Sequence, residues 1–351
     1  MRAAVLYGQQ DLRLETIADP TPGPGEVIIA VQAATTCGTD LKVWRRGGHA
    51  RMLKPPILFG HEAAGEIVAL GAGVSDWQIG QRIVANNSAP CGDCFYCHRH
   101  EYSLCQNLEF NNGTYAEYLK IPAQIVAKNL LAIPEHLPTP IAAMTEPLAC
   151  VLHGVARCGF SADQVKAWPN PPQVLVIGDG AIGLMFVGVL AQQGATVILS
   201  GGSPARLEIG QIFGATTILN HRQTPDLPAT IQELTSGLGA DIVIEATGVP
   251  SVWETAIACT RPGGTVNLFG GCPRDTQITL NTEQLHYGEL TLKGVFHNTP
   301  SYVRQALQVL SENVIPWSKL ITRIAPLSEL EATFQAMLNR QVIKAAIDPR
   351  A

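Results

Sequence analysis

Charge is scarce in this chain. Only 15% of the 351 residues are charged, with 24 Lys and Arg against 29 Asp and Glu, a net charge of −5. No basic run is present that could follow a phosphate backbone, so nucleic acid is not an expected partner. Long apolar runs are lacking too. The uncharged stretch from Gly180 through Ser203 is broken by Gln192, Gln193 and several glycines, and falls short of the roughly 20 apolar residues that a membrane helix needs. The opening MRAAVLYGQQDLRLE has too short an apolar patch for a signal-peptide core, and no small-residue cleavage site follows it, so the expected location is the cytoplasm, away from any membrane. Internal repeats and low-complexity tracts are also missing.

What is present suits packed interiors. Hydrophobic residues make up 46% of the chain, and its length predicts two domains rather than one core. The first third is rich in turn signals: ProThrProGlyProGly at 20–25 precedes the strand pattern EVIIAVQAA, and GEIVALGAG reads as another short strand. That pattern predicts a β-rich domain. From Gln173 apolar strands alternate with helical stretches: QVLVIG, AIGLMFVGVLAQQ, TVILS, PARLEIGQIF, DIVIEA, a helix from Ser251, TVNLFG and TLKGV. Such alternation predicts an α/β domain, a doubly wound parallel sheet with helices on both faces. Two helical segments after Ser301 and a final strand VIKAAI close the chain.

Gly178, Gly180 and Gly183 form G-x-G-x-x-G directly after the first of these strands and directly before a helix, with Ile182 inside the motif. The first glycine permits a tight turn, the second lets backbone approach a pyrophosphate, and the third lets helix and strand pack closely. NAD or NADP is therefore the expected cofactor. An acid normally ends the following strand and holds the ribose 2′-hydroxyl of NAD, but here the residues are Ser200, Gly201, Gly202 and Ser203, with Arg206 soon after. Without a carboxylate there, Gly201, Ser203 and Arg206 leave room for a 2′-phosphate, and NADP is expected to serve at least as well as NAD. A solvated Arg206 with relaxed selectivity is the alternative.

The nine cysteines are not spread as a disulfide framework. Cys91, Cys94, Cys97 and Cys105 give C-x2-C-x2-C-x7-C, which predicts a closed, tetrahedral structural zinc. A second, dispersed set comprises Cys37 in CysGlyThrAsp, His61 and Glu62 in GlyHisGlu, and Glu146 in GluProLeuAlaCys. Thiolate, imidazole and carboxylate together suit a zinc with an exchangeable position. Cys150, one helical turn after Glu146, is a competing donor. Glu146 precedes Pro147 at an expected helix start, where a carboxylate is favoured by the helix dipole, and it is the preferred third ligand.

The ordered set of CGTD, GHE, the four-cysteine lobe, EPLAC and VIGDGAIG resembles the zinc-dependent medium-chain alcohol dehydrogenases over essentially the whole chain, and it is most similar to the polyol and threonine dehydrogenase branch. The resemblance implies a GroES-like β-rich catalytic domain from residues 1–147 and 298–351, with a Rossmann coenzyme domain, 148–297, inserted. It implies that Cys37 and His61 ligate the catalytic zinc, and that Glu146 stands where the polyol branch has a glutamate. Glu62 either approaches the metal or stays behind it. Asp40 is similar to the carboxylate that orients the histidine ligand, and Lys344 to a basic residue near the pyrophosphate. The implied activity is hydride transfer between a secondary alcohol, of polyol or hydroxy-amino acid type, and NAD(P), with zinc polarising the alcohol oxygen. Thr39 resembles the hydroxyl that carries the alcohol proton away, and Lys42 replaces the histidine that often continues that relay. Trp44, His49 and Phe110 lie in segments similar to pocket walls, but a buried aromatic or a surface histidine is the preferred reading for each. A homodimer or homotetramer acting on a small molecule is the implied assembly. A zinc-free quinone or enoyl reductase, and a catalytically silent binding protein, are competing readings; the former lacks both metal constellations.

Overall fold

The computed structural model describes residues 1–48, 53–160, 168 and 170–351. Two compact units emerge: Met1–Ala149 together with Asn298–Ala351, and Cys150–His297 between them. The division falls inside the helix Thr145–Arg157. Among the described residues no helix is long and apolar enough to cross a membrane.

The first unit is built on a sheet centred on Val27–Thr35, which is buried almost throughout. That strand pairs antiparallel with Ala63–Leu70, with Tyr118–Ile121 and with the last strand of the chain, Lys344–Asp348. The register Ala346 to Thr35 and Ile347 to Ala34 brings Lys344 beside the segment that leads into Cys37. Residues more than 300 positions apart are thereby neighbours. Phe334 sits at the centre of the apolar core, with ring centroids of Trp44, Phe59 and Tyr115 at 5.8, 6.0 and 6.1 Å. Aromatic pairs of this kind each add about 0.5–1.5 kcal/mol beyond their burial. Trp44, 1% exposed, is thus a buried aromatic of this core, the reading preferred from the sequence. Phe110 ends a two-residue strand paired with Ser88–Ala89, and His49 lies outside the described residues.

The second unit is a six-stranded parallel sheet in the spatial order Ala215–Asn220, Thr196–Gly201, Gln173–Ile177, Ala240–Glu245, Thr260–Leu268 and Thr291–Gly294. Numbered by chain position within the unit, this is 3-2-1-4-5-6, the doubly wound dinucleotide-binding order. The inner strands Gln173–Ile177, Thr196–Gly201 and Ala240–Glu245 are buried over most of their length because helices cover the sheet. The strand Ala215–Asn220 and the helix Leu227–Leu234 were not expected from the sequence pattern.

Candidate active site

Cys37 caps the helix Gly38–Arg46. Its backbone N–H donates to Asp40 Oδ2 at 3.0 Å, while its sulfur accepts the Thr39 N–H at 3.4 Å. This capping box fixes the thiol at the helix N-terminus. Asp40 has a second task. Its Oδ1 lies 2.9 Å from His61 Nδ1, and Tyr115 donates its hydroxyl to Oδ2 at 2.6 Å. All three side chains are buried. Burial pushes the Asp40 carboxyl up, but the His61 charge and the hydrogen bonds outweigh it and hold the pKa low. Burial likewise opposes the His61 imidazolium, and the Asp40 charge outweighs it, holding the pKa well above the usual value. With Nδ1 engaged, Nε2 is the nitrogen left for a metal.

Glu62 follows His61 and is fully buried. Its Oε2 accepts from Thr35 Oγ1 and from Lys344 Nζ, and Lys344 also donates to the Thr36 carbonyl at 2.7 Å. Among the described residues, Oε1 is buried without a hydrogen-bond partner. Donor atoms of Cys37, His61 and Glu62 lie within 4.8 Å of one another. Glu146, also buried, is not part of that group. It shares one face of the helix Thr145–Arg157 with Cys150, and Cys150 Sγ lies within 4.8 Å of a ring nitrogen of His297. Thr39 and Lys42 are half-buried on the capped helix.

Cys91, Cys94, Cys97 and Cys105 converge, with Sγ separations of 3.9 Å for 91 to 97, 3.8 Å for 94 to 105 and 3.4 Å for 91 to 105. Tetrahedral zinc with sulfur at about 2.3 Å requires about 3.8 Å between sulfurs. The set fits. Backbone N–H groups of Cys91, Gly92, Asp93 and Gln106 donate to these sulfurs at 3.2–3.4 Å. The Gln106 amide draws the Cys94 thiol down to about 6, whereas burial pushes Cys105 up to about 12. A dication among four such groups would deprotonate them all.

In the second unit Gly178 has φ +125°, and Gly183 approaches so closely that a Cβ would sit 1.8 Å from the Gly178 carbonyl oxygen. Gly180 caps the helix Ala181–Gln192, with open space where a Cβ would stand, as backbone contact with a pyrophosphate needs. Ile182 is half-buried in the first turn, and Arg206 half-buried on the helix Pro204–Ile212. The end of the strand Thr196–Gly201 corrects one expectation. A carboxylate is present there after all, because Asp179 reaches across and accepts the N–H groups of Gly202 at 2.8 Å and Ser203 at 2.7 Å through Oδ2.

The chain matches the family models of the alcohol dehydrogenase GroES-like domain over residues 23–135 and of the zinc-binding dehydrogenase over 181–312. It is 34% identical to L-threonine 3-dehydrogenase of Pyrococcus abyssi, covering 84% of this chain and 81% of the relative. This chain belongs to the zinc-dependent medium-chain alcohol dehydrogenases. Sorbitol dehydrogenase of Bacillus subtilis is 29% identical over 97% of this chain and 94% of its own. Among solved structures, 2R,3R-butanediol dehydrogenase from Bacillus subtilis superposes with a TM-score of 0.86 at 27% identity, over 99% of both chains. A zinc-binding dehydrogenase from Sinorhizobium meliloti 1021, solved with NADP, gives 0.89 at 28% identity, also over 99% of both. The dehydrogenase is a zinc-dependent oxidoreductase acting on CH–OH groups with NAD(P), built from GroES-like and Rossmann folds.

Two side chains of the dehydrogenase escaped the sequence reading. Tyr115, from the segment before Tyr118–Ile121, carries no local signal, since only the fold brings it to Asp40. Asp179 was visible as an unassigned position of the glycine motif. The Lys344 side chain is 2% exposed, and its ammonium is engaged by Glu62 and the Thr36 carbonyl, contacts that the sequence reading did not anticipate.

Proposed function

We propose that the dehydrogenase oxidises a secondary alcohol of the polyol or hydroxy-amino acid class to the ketone. Its relatives named for threonine, sorbitol and 2,3-butanediol support that class. We assign Cys37, His61 and Glu62 to an exchangeable zinc, and Cys91, Cys94, Cys97 and Cys105 to a closed one. The observation that carries the first assignment is Glu62 Oε1, a buried oxygen with no partner beside a capped thiol and an oriented imidazole. An unpaired anionic oxygen in the interior is costly, and a divalent cation removes that cost. Bound there, zinc supplies a Lewis acid for the alcohol oxygen and the nicotinamide supplies the hydride acceptor.

The chain's own groups do the rest. The Thr39 hydroxyl receives the alcohol proton and passes it outward past Lys42. Asp40, held by Tyr115, keeps His61 in one tautomer, and Lys344 with Thr35 holds Glu62 through Oε2, leaving Oε1 for the metal. Gly178, Gly180 and Gly183 shape the turn that admits the pyrophosphate. Glu146 and Cys150 are outside this set. A cytoplasmic homodimer or homotetramer completes the reading, supported by the strand Thr291–Gly294, which pairs on one side only among the described residues. Light scattering that reports a monomer at micromolar concentration removes the oligomer.

The test is a panel of secondary alcohols, including polyols, threonine and 2,3-butanediol, assayed with NAD and NADP. Turnover of at least one, lost in Cys37→Ser, is the expected result. No turnover with either cofactor, or full turnover in Cys37→Ser, overturns the proposal.

A further inference from the structure

The glycine motif of this dehydrogenase contains an acid, Asp179, at its second position. The residue is 6% exposed, and its carboxylate leaves its own loop for the C-terminal end of the neighbouring strand Thr196–Gly201. The strand end is shaped to receive it. Gly201 has no side chain, and a Cβ there would stand 2.5 Å from Asp179 Cβ and 2.8 Å from Oδ2. The two loops are also joined by the Gly178 N–H donating to the Ser200 carbonyl at 2.8 Å. Substituting Gly201→Asp therefore cannot restore a missing acid, because Asp179 already fills that space.

Dinucleotide folds hold the adenosine ribose at this strand end, and an acid there accepts its hydroxyls. Asp179 brings the same group from the other side of the crevice. Oδ2 is occupied by the amides of Gly202 and Ser203. Oδ1 accepts no hydrogen bond among the described residues, yet it is not a sealed, orphaned atom. It is the oxygen available to a ribose hydroxyl. The same arrangement works against a 2′-phosphate in two ways. The amide N–H groups that would hold a phosphate at a strand end already serve an internal anion, and that anion carries a charge of the same sign as the phosphate.

We propose that Asp179 is the specificity residue for the dinucleotide, replacing the acid absent from the strand end and making NAD the preferred cofactor over NADP. The proposal rests on the chain's use of a nicotinamide dinucleotide and not on which alcohol it oxidises. It reverses the preference expected from Gly201, Ser203 and Arg206 in the sequence. A loop-bracing role alone would leave the two cofactors equivalent.

The probes are NADH and NADPH, titrated into the full-length protein by nicotinamide fluorescence, with 5′-AMP and 2′,5′-ADP as competitors that report the ribose subsite alone. NADH is expected to bind at least tenfold more tightly than NADPH. In Asp179→Asn, which keeps the shape and removes the charge, the NADH to NADPH preference is expected to fall at least tenfold, with 2′,5′-ADP gaining on 5′-AMP in parallel. Wild-type protein that binds NADPH as well as NADH overturns the proposal without any variant. An unchanged ratio in a folded Asp179→Asn, checked by circular dichroism and melting temperature, overturns it as well. No alcohol enters these measurements, so an error in the substrate class cannot imitate either outcome. Failure of both dinucleotides to bind would reject the cofactor reading itself and this inference with it.

Discussion

Replacing Lys344 by methionine keeps most of the side-chain length and removes the ammonium. Lys344 and Glu62 are 2% and 0% exposed, so water cannot take over the lost interaction. Breaking a buried ion pair from one side costs about 3–5 kcal/mol, because the remaining charge is left uncompensated. For a unit of about 200 residues each kcal/mol corresponds to about 2–4 °C, so the melting temperature of the first unit should fall by roughly 6–20 °C. Tryptophan fluorescence is a suitable probe, since Trp44 and Trp317 are both buried in this unit. The measurement is made after mild chelation, so that the exchangeable metal does not enter the comparison. Adding Glu62→Gln to Lys344→Met should then recover most of the loss, because a neutral pair no longer holds an unpaired charge. The family resemblance, which puts a basic residue near the pyrophosphate, predicts the opposite pattern. Under it, Lys344→Met weakens NADH binding and leaves the melting temperature within about 2 °C, less than 1 kcal/mol. That result would refute the pairing derived from the structure.

Metal analysis should find two zinc ions per chain, and mild chelation should remove one and abolish turnover before the protein unfolds, since a closed thiolate cage offers no open position for attack; one zinc in a fully active preparation contradicts this. Glu62→Gln should lower the content of the exchangeable zinc, whereas Glu146→Ala and Cys150→Ala should retain it, and the reverse outcome by metal analysis would restore Glu146 as the third ligand. Asp40→Asn should weaken zinc binding about 10–100-fold, measured by competition with a chromogenic chelator. Tyr115→Phe removes a 2.6 Å hydrogen bond to a buried carboxylate and should cost about 1.5–3 kcal/mol of stability in denaturant unfolding; a wild-type midpoint would show that Asp40 does not depend on it.

Sequence pattern carried the fold class because its signals are local. The strands at Gln173–Ile177 and Thr196–Gly201 are continuous apolar runs, and the glycines between them mark the turn. Ala215–Asn220 was missed for the matching reason: it is the edge strand of its sheet, mostly half-exposed, and its ATTILN sequence has too little apolar contrast to register. The four cysteines were legible because all their ligand geometry lies within 15 residues, set by spacing and a few backbone amides. Cys37, His61 and Glu62 were legible through family motifs. Which of the two glutamates lies with the thiol and the imidazole was not, because helical spacing pairs Glu146 with Cys150 and says nothing of its distance to Cys37.

The departures at Lys344 and Asp179 share one cause. Each is a charged side chain that local reasoning assigns to solvent or ligand, and each is turned instead toward a partner that only strand pairing supplies. For Lys344 the pairing is that of Lys344–Asp348 with Val27–Thr35, which sets the ammonium beside Thr36 and within reach of Glu62. For Asp179 it is the parallel register of Gln173–Ile177 with Thr196–Gly201, in which Ile177 stands opposite Ser200, so the residues after Ile177 meet those after Ser200. Desolvation makes such pairings obligatory rather than optional. A lysine or aspartate carried into the interior must find its counter-charge or its amide donors there, and those groups are then withdrawn from any ligand that would otherwise use them. Hence a buried charge near a binding site is evidence about the ligand as well as the fold: the Lys344 ammonium is held by Glu62 and Thr36, while the amides of Gly202 and Ser203 are committed to Asp179 and, in the proposal made for that residue, withdrawn from a 2′-phosphate.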